Sequence, residues 1–400
     1  MLLLPSLSIL TFLSKPGRSI FFNVDRNPIL HAILKRTFYD HFCSGENEAQ
    51  VASNIRQLKA LGLRGVILTY AREIVFDTRA SADSNSTKKR TDSPDRESKH
   101  CPDIEEWIRG ALKTLHLLEE NDYLALKLTG AGIKAAEAFA AGELPPRQMM
   151  EALHEMCALA KQRKVRILVD AESQRFQRGI ARVALELMRK YNRDGKALVF
   201  NTYQAYLKNV FMALSADLDA ASHEGFTLGV KLVRGAYITT EKRSLIHDTK
   251  QETDNAFDGI TRAILKQELG EFGRKLGRPF PSVNLFIASH NKASVLAAHE
   301  LHQQRLEQGL PTVPVQYAQL MGMADEVTLG LLQLTDRNGV PPEVYKCSTW
   351  GKMGDCVSYL VRRAVENRDA VSRTESEYAA LKAEVMRRIK AVSFPVSSKS

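Results

Sequence analysis

The run Lys231-Leu232-Val233-Arg234-Gly235-Ala236-Tyr237 places two cations, a glycine and a phenol at the end of an apolar stretch, residues 227–233, with Glu241 and Arg243 soon after. Cations offered where a strand stops suit a phosphate or a carboxylate, and a glycine admits a turn or a close backbone approach that a Cβ hinders. Lys231 and Arg234 are three apart, so an extended chain turns them to opposite sides. The strand is therefore expected to end near Val233, with Lys231 inside and Arg234 on the loop. Taken alone, the run also reads as a strand ending in solvated basic residues.

Three other groups carry similar potential. Asp170 and Glu172 are two apart, so on a continuing strand both face one side, and such a pair needs cations or donors; Lys127, Lys231 and Arg234 are available. They read equally as a strand end and a helix cap. Ser289-His290-Asn291 offers donors after another apolar run, although a lone histidine is more often a satisfied core residue. Arg362 and Arg363 lie in an amphipathic stretch with Glu366 one turn on, close enough to orient a guanidinium; a solvated helix face has the same pattern. The chain contains no GxGxxG after a strand, no GxxxxGK[ST], no HExxH and no GxSxG.

These residues need elements to hold them. Short apolar runs recur at 65–70, 123–129, 165–172, 197–204, 227–233, 283–291, 313–320 and 344–347, separated by helical stretches such as 104–118, 133–141, 180–191 and 205–216. Eight strands alternating with helices predict an α/β fold, a (β/α)8 TIM-type barrel, in preference to an open doubly wound sheet. Lys127, Asp170, Gln204, Arg234, His290 and Gln319 all fall at or just beyond the C-terminal ends of their strands, the rim on which barrel enzymes build their sites. Residues 28–60 read as an N-terminal helical arm, and 77–103 as a low-complexity insert with almost nothing to bury.

Composition narrows the field. Lys plus Arg number 56 against 46 Asp plus Glu, a net charge of +10 that favours anionic ligands or an anionic membrane surface. The basic residues are scattered through helical stretches and no nucleic-acid motif is present, so nucleic acid is not expected as a partner. Five cysteines without CxxC pairing indicate neither a disulfide framework nor a zinc site, and a reducing compartment is expected. Residues 1–13 are apolar but too short to span a bilayer; residues 1–26 are expected to be a disordered tail or a targeting remnant, ahead of one barrel domain over 27–400.

The motifs KLVRGAY with Glu241, LVDAE at 168–172, NTYQAYLK at 201–208, IASHN at 287–291, QLMGMAD at 319–325 and YLVRRAVEN at 359–367 together resemble the proline dehydrogenase family. The similarity runs from about Asn27 to Arg373, and the chain looks most like the fungal mitochondrial form. The resemblance implies a distorted barrel that binds FAD without a Rossmann domain. It also implies oxidation of L-proline to pyrroline-5-carboxylate, electrons passed to ubiquinone, and a place on the matrix side of the mitochondrial inner membrane; peripheral membrane contact through basic helices is a separate expectation. Carried over by position, it makes Lys231, Arg234 and Gln204 flavin ligands, with Val169, Gly235, Ala236, Ser289 and His290 lining the cofactor. Arg362 and Arg363 then hold the substrate carboxylate, Glu366 orients an arginine, and Lys127, Asp170, Tyr237 and Leu320 complete the imino-acid pocket.

One position departs from the family. Counting back from Arg362, the pocket tyrosine falls at Cys347, unless a two-residue shift lets Tyr345 take the place. A cysteine leaves space above the substrate ring and removes a hydroxyl. The position is also small in the sister hydroxyproline dehydrogenases, which implies weaker discrimination against 4-hydroxyproline. Two further readings remain open: a barrel lyase using Lys127 or Lys231 as a Schiff base, and a catalytically weakened paralogue that binds flavin or an amino acid.

Overall fold

A computed structural model describes residues 23–70 and 100–366, apart from 239, 274–276 and 338, together with 382 and 385–387. The side chains of 358 and 362–366 lie outside the described residues, as do most of the expected insert at 77–103, residues 1–22, and nearly all of the chain after Glu366.

Eight strands pair in parallel, in chain order, and β8 returns to β1 to close the barrel. The strands are β1 (Gly65–Tyr70), β2 (Tyr123–Leu126), β3 (Arg166–Val169), β4 (Val199–Gln204), β5 (Leu228–Val233), β6 (Val283–Ala288), β7 (Val315–Leu320) and β8 (Val344–Trp350). An arm precedes the barrel: α1 (Pro28–Leu34), a π-helical turn (Lys35–Tyr39), α2 (Asp40–Phe42) and α3 (Glu48–Ala60). The outer layer is α4 (Pro102–Leu117), α5 (Ile133–Ala141), α6 (Arg147–Arg163), α7 (Gln174–Tyr191), α8 (Val210–Glu224), α9 (Lys250–Lys266), α10 (Lys292–Glu307) and α11 (Asp325–Leu332). Helix α12 (Met353–Glu366) follows β8.

The strands are largely apolar because both faces are covered, as a barrel wrapped in helices requires. Alternate residues divide between two cores. Val66, Leu68, Leu124, Ile167, Val199, Val230, Leu232, Leu285 and Tyr317 face the helices. Ile67, Tyr123, Ala125, Leu168, Phe200, Phe286, Ala318 and Tyr345 fill the interior. Near the N-terminal end the Tyr123 ring meets Phe200, Phe286 and Tyr345 edge-on at 5.0–5.8 Å. Buried rings of this kind are worth roughly 3–5 kcal/mol each against alanine, so this end of the barrel is closed and rigid. Its polar edge is also satisfied: Arg166 donates to the Tyr123 hydroxyl at 2.7 Å, and Tyr123 donates to Gln316.

Several boundaries differ from expectation, each for a local reason. β2 stops at Leu126 because a 3-10 turn, Leu128–Ala131, takes over before Gly132 at φ +106. β8 runs three residues beyond Cys347, since it pairs with β1 up to Tyr70↔Trp350. α4 begins at Pro102, where proline suits the first turn of a helix, within the segment expected to be low-complexity. Contacts also reach into the segment expected to be a tail: Val24 is 2% exposed.

Candidate active site

The inward series of the barrel wall delivers a ring of side chains to its C-terminal mouth. Continuing the alternation past Ala125, Leu168, Ala318 and Tyr345 brings Lys127, Asp170, Leu320 and Cys347 to that level, with Lys231 rising from β5 and Gln204, four residues beyond Phe200, one layer higher. Cys347 stands between Ile67 and Leu320 in the strand register. Lys231 Nζ donates to Asp170 Oδ1 at 2.7 Å, with the two side chains 12% and 18% exposed. Burial pushes the Cys347 thiol up to about 11, the charges of Lys231 and Lys127 pull against it, and Asp170 adds to it. Lys127, Asp170, Lys231 and Cys347 therefore share one electrostatic neighbourhood, in which Cys347 is a neutral thiol at physiological pH.

Tyr345 is also on the inner face but one layer deeper. It is 1% exposed and packs on Tyr123 and Phe286. Cys347, not Tyr345, holds the mouth position.

Asp170 and Glu172 do not share a face, contrary to expectation, because β3 ends at Val169 and the backbone turns. Glu172 is buried. Its carboxylate accepts from the Thr129 amide at 3.0 Å and from the Thr129 hydroxyl, which fixes the turn after Lys127. Burial raises the Glu172 carboxyl above its ordinary range, opposed first by the Lys127 charge. Its carbonyl accepts from Gln204 Nε2 at 3.3 Å, linking three successive strand ends.

Arg234 lies on the loop after β5, as the spacing predicts. Its Nε donates to Asp254 at 2.7 Å, Nη1 to Ser289 at 2.7 Å and Nη2 to Ser294 at 2.9 Å, and the guanidinium sits 4.3 Å from the Phe257 ring centre. Burial alone would raise the Asp254 carboxyl, but bonds from Lys250 and Arg234 outweigh it and hold it below the usual range. Gly235 has φ +133, and a Cβ there would stand 2.2 Å from the Tyr206 ring, so only glycine fits. Ala236 and Tyr237 follow, both partly exposed, and the Tyr237 carbonyl accepts from the Glu241 amide at 2.9 Å. Val169 points to the helix-facing core, leaving only its backbone toward the mouth.

After β6, Ser289 accepts from Arg234, and His290 Nε2 accepts from the Leu320 amide at 3.0 Å. Gln319 sits near the end of β7 but faces outward, accepting from Thr328 at 2.8 Å and donating to the Ser289 carbonyl at 3.2 Å. Lys346, also outward, is 4% exposed; it donates to the carbonyls of Leu320 at 3.2 Å and Met323 at 2.7 Å and pairs with Asp325 at 2.7 Å. The loop carrying Leu320 is thus pinned from both neighbouring strands. Arg362, Arg363 and Glu366 fall in the last turns of α12; their side chains lie outside the described residues.

Sequence reasoning missed Asp254, Ser294, Phe257, Thr129 and Lys346. One signal was available for the first: Thr249 and Glu252 form a capping box, which sets the start of α9 and so places Asp254 one turn in, under the β5 loop. Among the described residues no group of three or more His, Cys, Asp or Glu could hold a metal ion, and no helix is long and apolar enough to cross a membrane.

A closed parallel barrel with an ion pair, two further cations and a histidine at its C-terminal mouth defines a (β/α)8 barrel enzyme site. The family described as proline dehydrogenase matches residues 51–376, and the chain belongs to the proline dehydrogenase family of oxidoreductases. It is 30% identical to a probable mitochondrial proline dehydrogenase of Schizosaccharomyces pombe, over 90% of this chain and 81% of that protein. It is 29% identical to the hydroxyproline dehydrogenase of Mus musculus, over 90% of this chain and 83% of that one. Among solved structures, proline utilization A from Bdellovibrio bacteriovorus, inactivated by N-propargylglycine, matches with a TM-score of 0.67 at 16% identity, which speaks to the fold alone. That match covers 94% of this chain but only 38% of the larger protein.

Proposed function

We propose that this chain oxidises L-proline to pyrroline-5-carboxylate with FAD as cofactor and ubiquinone as electron acceptor, in mitochondria. The observation that carries the reading is the Lys231–Asp170 pair at 2.7 Å beside Lys127, on the inner wall of a family barrel. The chain's donors suit a flavin dinucleotide. Arg234 uses three of its five N–H donors on Asp254, Ser289 and Ser294, which fixes the fork and leaves N–H groups for an anionic ligand. Gly235 is exposed, with a backbone open to close approach, and Gln204 is held by Glu172. Lys231, Arg234, Gln204, Val169, Gly235, Ala236, Ser289 and His290 are assigned to the cofactor.

When bound, the flavin supplies a two-electron acceptor for the hydride that leaves the ring carbon next to nitrogen. The protein must hold the imino acid close to it with the nitrogen deprotonated, and must exclude water. Arg362 and Arg363 are assigned to the substrate carboxylate and Glu366 to orienting one of them. Leu320 and Cys347 form adjacent wall positions, and Tyr237 closes the loop side. Asp170 and Lys127, whose charges act on Glu172 and Cys347, supply the charged groups at the ends of β2 and β3. Purified protein is expected to be yellow and to bleach anaerobically with L-proline. Colourless protein trapped by borohydride with a carbonyl substrate would select a Schiff-base lyase instead, and bound flavin that no cyclic imino acid reduces would select the weakened paralogue.

One observation favours a broader substrate range. Cys347 is the small residue at the mouth, and Tyr345 does not replace it there, being committed to the layer below. Turnover of 4-hydroxyproline within about tenfold of proline is expected, a difference of about 1.4 kcal/mol. Cys347→Tyr should widen that ratio in favour of proline. A strong proline preference left unchanged by the substitution removes this reading.

A further inference from the structure

We infer that the N-terminal arm is a working part of the substrate site: residues 23–45 hold α12 in place at the exit of β8, with Asp25 as a positioning residue at its N-terminus. The inference rests on the assignment of Arg362 and Arg363, both on α12, to the substrate carboxylate.

The apolar stripe of α12 is Met353, Cys356, Val357 and Val361, spaced as one helix face and at most 5% exposed. Its partners are Val24, Tyr39 and Cys43, with Leu30, Leu34, Phe38 and Phe42 around them. No barrel strand contributes to this cluster among the described residues; every other member is in the arm. The helix is therefore seated on the arm more than on the barrel that it serves.

Polar contacts fix the same seat. Asp25 Oδ1 accepts from the Gly354 amide at 3.1 Å, capping the first turn of α12 from 329 residues away in sequence. A carboxylate there also opposes the positive end of the helix dipole. A Cβ at Gly354 would lie 2.4 Å from Asp25 Oδ2, so a larger residue there would make this carboxylate shift. Just before the helix, the Ser44 amide donates to the Thr349 carbonyl at 2.9 Å and the Gly351 amide donates to the Gly45 carbonyl at 3.1 Å. The Tyr39 hydroxyl donates to the Gly351 carbonyl at 2.8 Å, and Cys356 Sγ lies 3.7 Å from that hydroxyl. The arm thus clasps the exit of β8 and the entry of α12 together.

A helix transmits error along its length. From Gly354 to Arg362 the rise is about 12 Å, so a pivot of about 5° at the cap displaces the arginine pair by about 1 Å. A displacement of that size weakens the bidentate grip of the pair on the substrate carboxylate, which is a loss of binding.

The test uses the full-length flavin-loaded protein with Asp25→Ala and Asp25→Asn. Asparagine caps as well as aspartate does, so it should behave as wild type, while alanine should not. Hydrogen exchange of the α12 amides is expected to quicken about fivefold in Asp25→Ala, with barrel amides unchanged. KM for L-proline should rise severalfold at constant kcat and constant flavin absorbance. Wild-type exchange and KM in Asp25→Ala overturn the inference. So does a KM rise that brings flavin loss or faster exchange in the barrel, which marks a general loss of structure. If wild-type protein oxidises no cyclic imino acid, the assigned function fails, and the exchange comparison alone decides whether the arm holds α12.

Discussion

Lys231 of β5 and Asp170 after β3 meet at 2.7 Å across the intervening strand β4, both largely buried. A pair in that setting is costly to break from one side, because the remaining charge keeps its burial and loses its partner. Asp170→Asn preserves shape while removing the charge. Its kcat/KM for L-proline is expected to fall about 100-fold, equivalent to about 2.7 kcal/mol. Adding Lys231→Met should cost less than the sum of the two single changes, since the second removes the charge that the first stranded. Steady-state kinetics of the three variants decide it, and full additivity would show that the pair does not act as a unit.

Arg234 makes a different prediction, because its value lies in the fork. Nε, Nη1 and Nη2 each reach a separate partner, on α9, after β6 and on α10. A lysine ammonium supplies one point of charge and cannot span the three. Arg234→Lys should purify with at least tenfold weaker flavin retention, read as visible absorbance per protein after gel filtration, while the barrel still folds. Undiminished retention would move the assigned cofactor contacts elsewhere.

The wall of the barrel was legible because burial on both faces leaves continuous apolar runs, and the first polar residue after each run marks the mouth. That logic placed Lys127, Asp170 and Gln204 correctly relative to their strands, and the spacing from Arg234 put Lys231 inside. It placed Gln319 on the rim but could not see that parity turns it outward to Thr328. Strand ends set by non-local events escaped it: β3 stops where Glu172 leaves to bind Thr129, and β8 continues because β1 pairs with it as far as Trp350. Long-range partners were invisible for the same reason. Asp254 and Lys346 read as ordinary helix and strand charges until the fold brings them to Arg234 and to the Leu320 loop. Asp25 lay in a stretch with no periodicity, and only its contact with Gly354 gives it a role.

The outer layer yields a pH dependence. Tyr203, next to Gln204 on β4, donates its hydroxyl to Asp217 of α8 at 2.6 Å. Burial pushes the Asp217 carboxyl up to about 6, although the bond from Tyr203 and the charge of Arg189 pull it down. A folded-state value above the unfolded one means that the fold favours the protonated acid. The stabilisation is therefore fully present below the unfolded value of about 3.9 and is lost as pH rises through about 6. Asp217→Asn, which stays neutral, should gain on wild type over that window by about 2 kcal/mol, allowing for the partial exposure of the site. Thermal melts of both proteins at pH 4 and pH 7 measure the gap. Wild type should compare best at the lower pH, and a gap that stays constant or widens in its favour at pH 7 would show that Asp217 is ionised in the fold throughout.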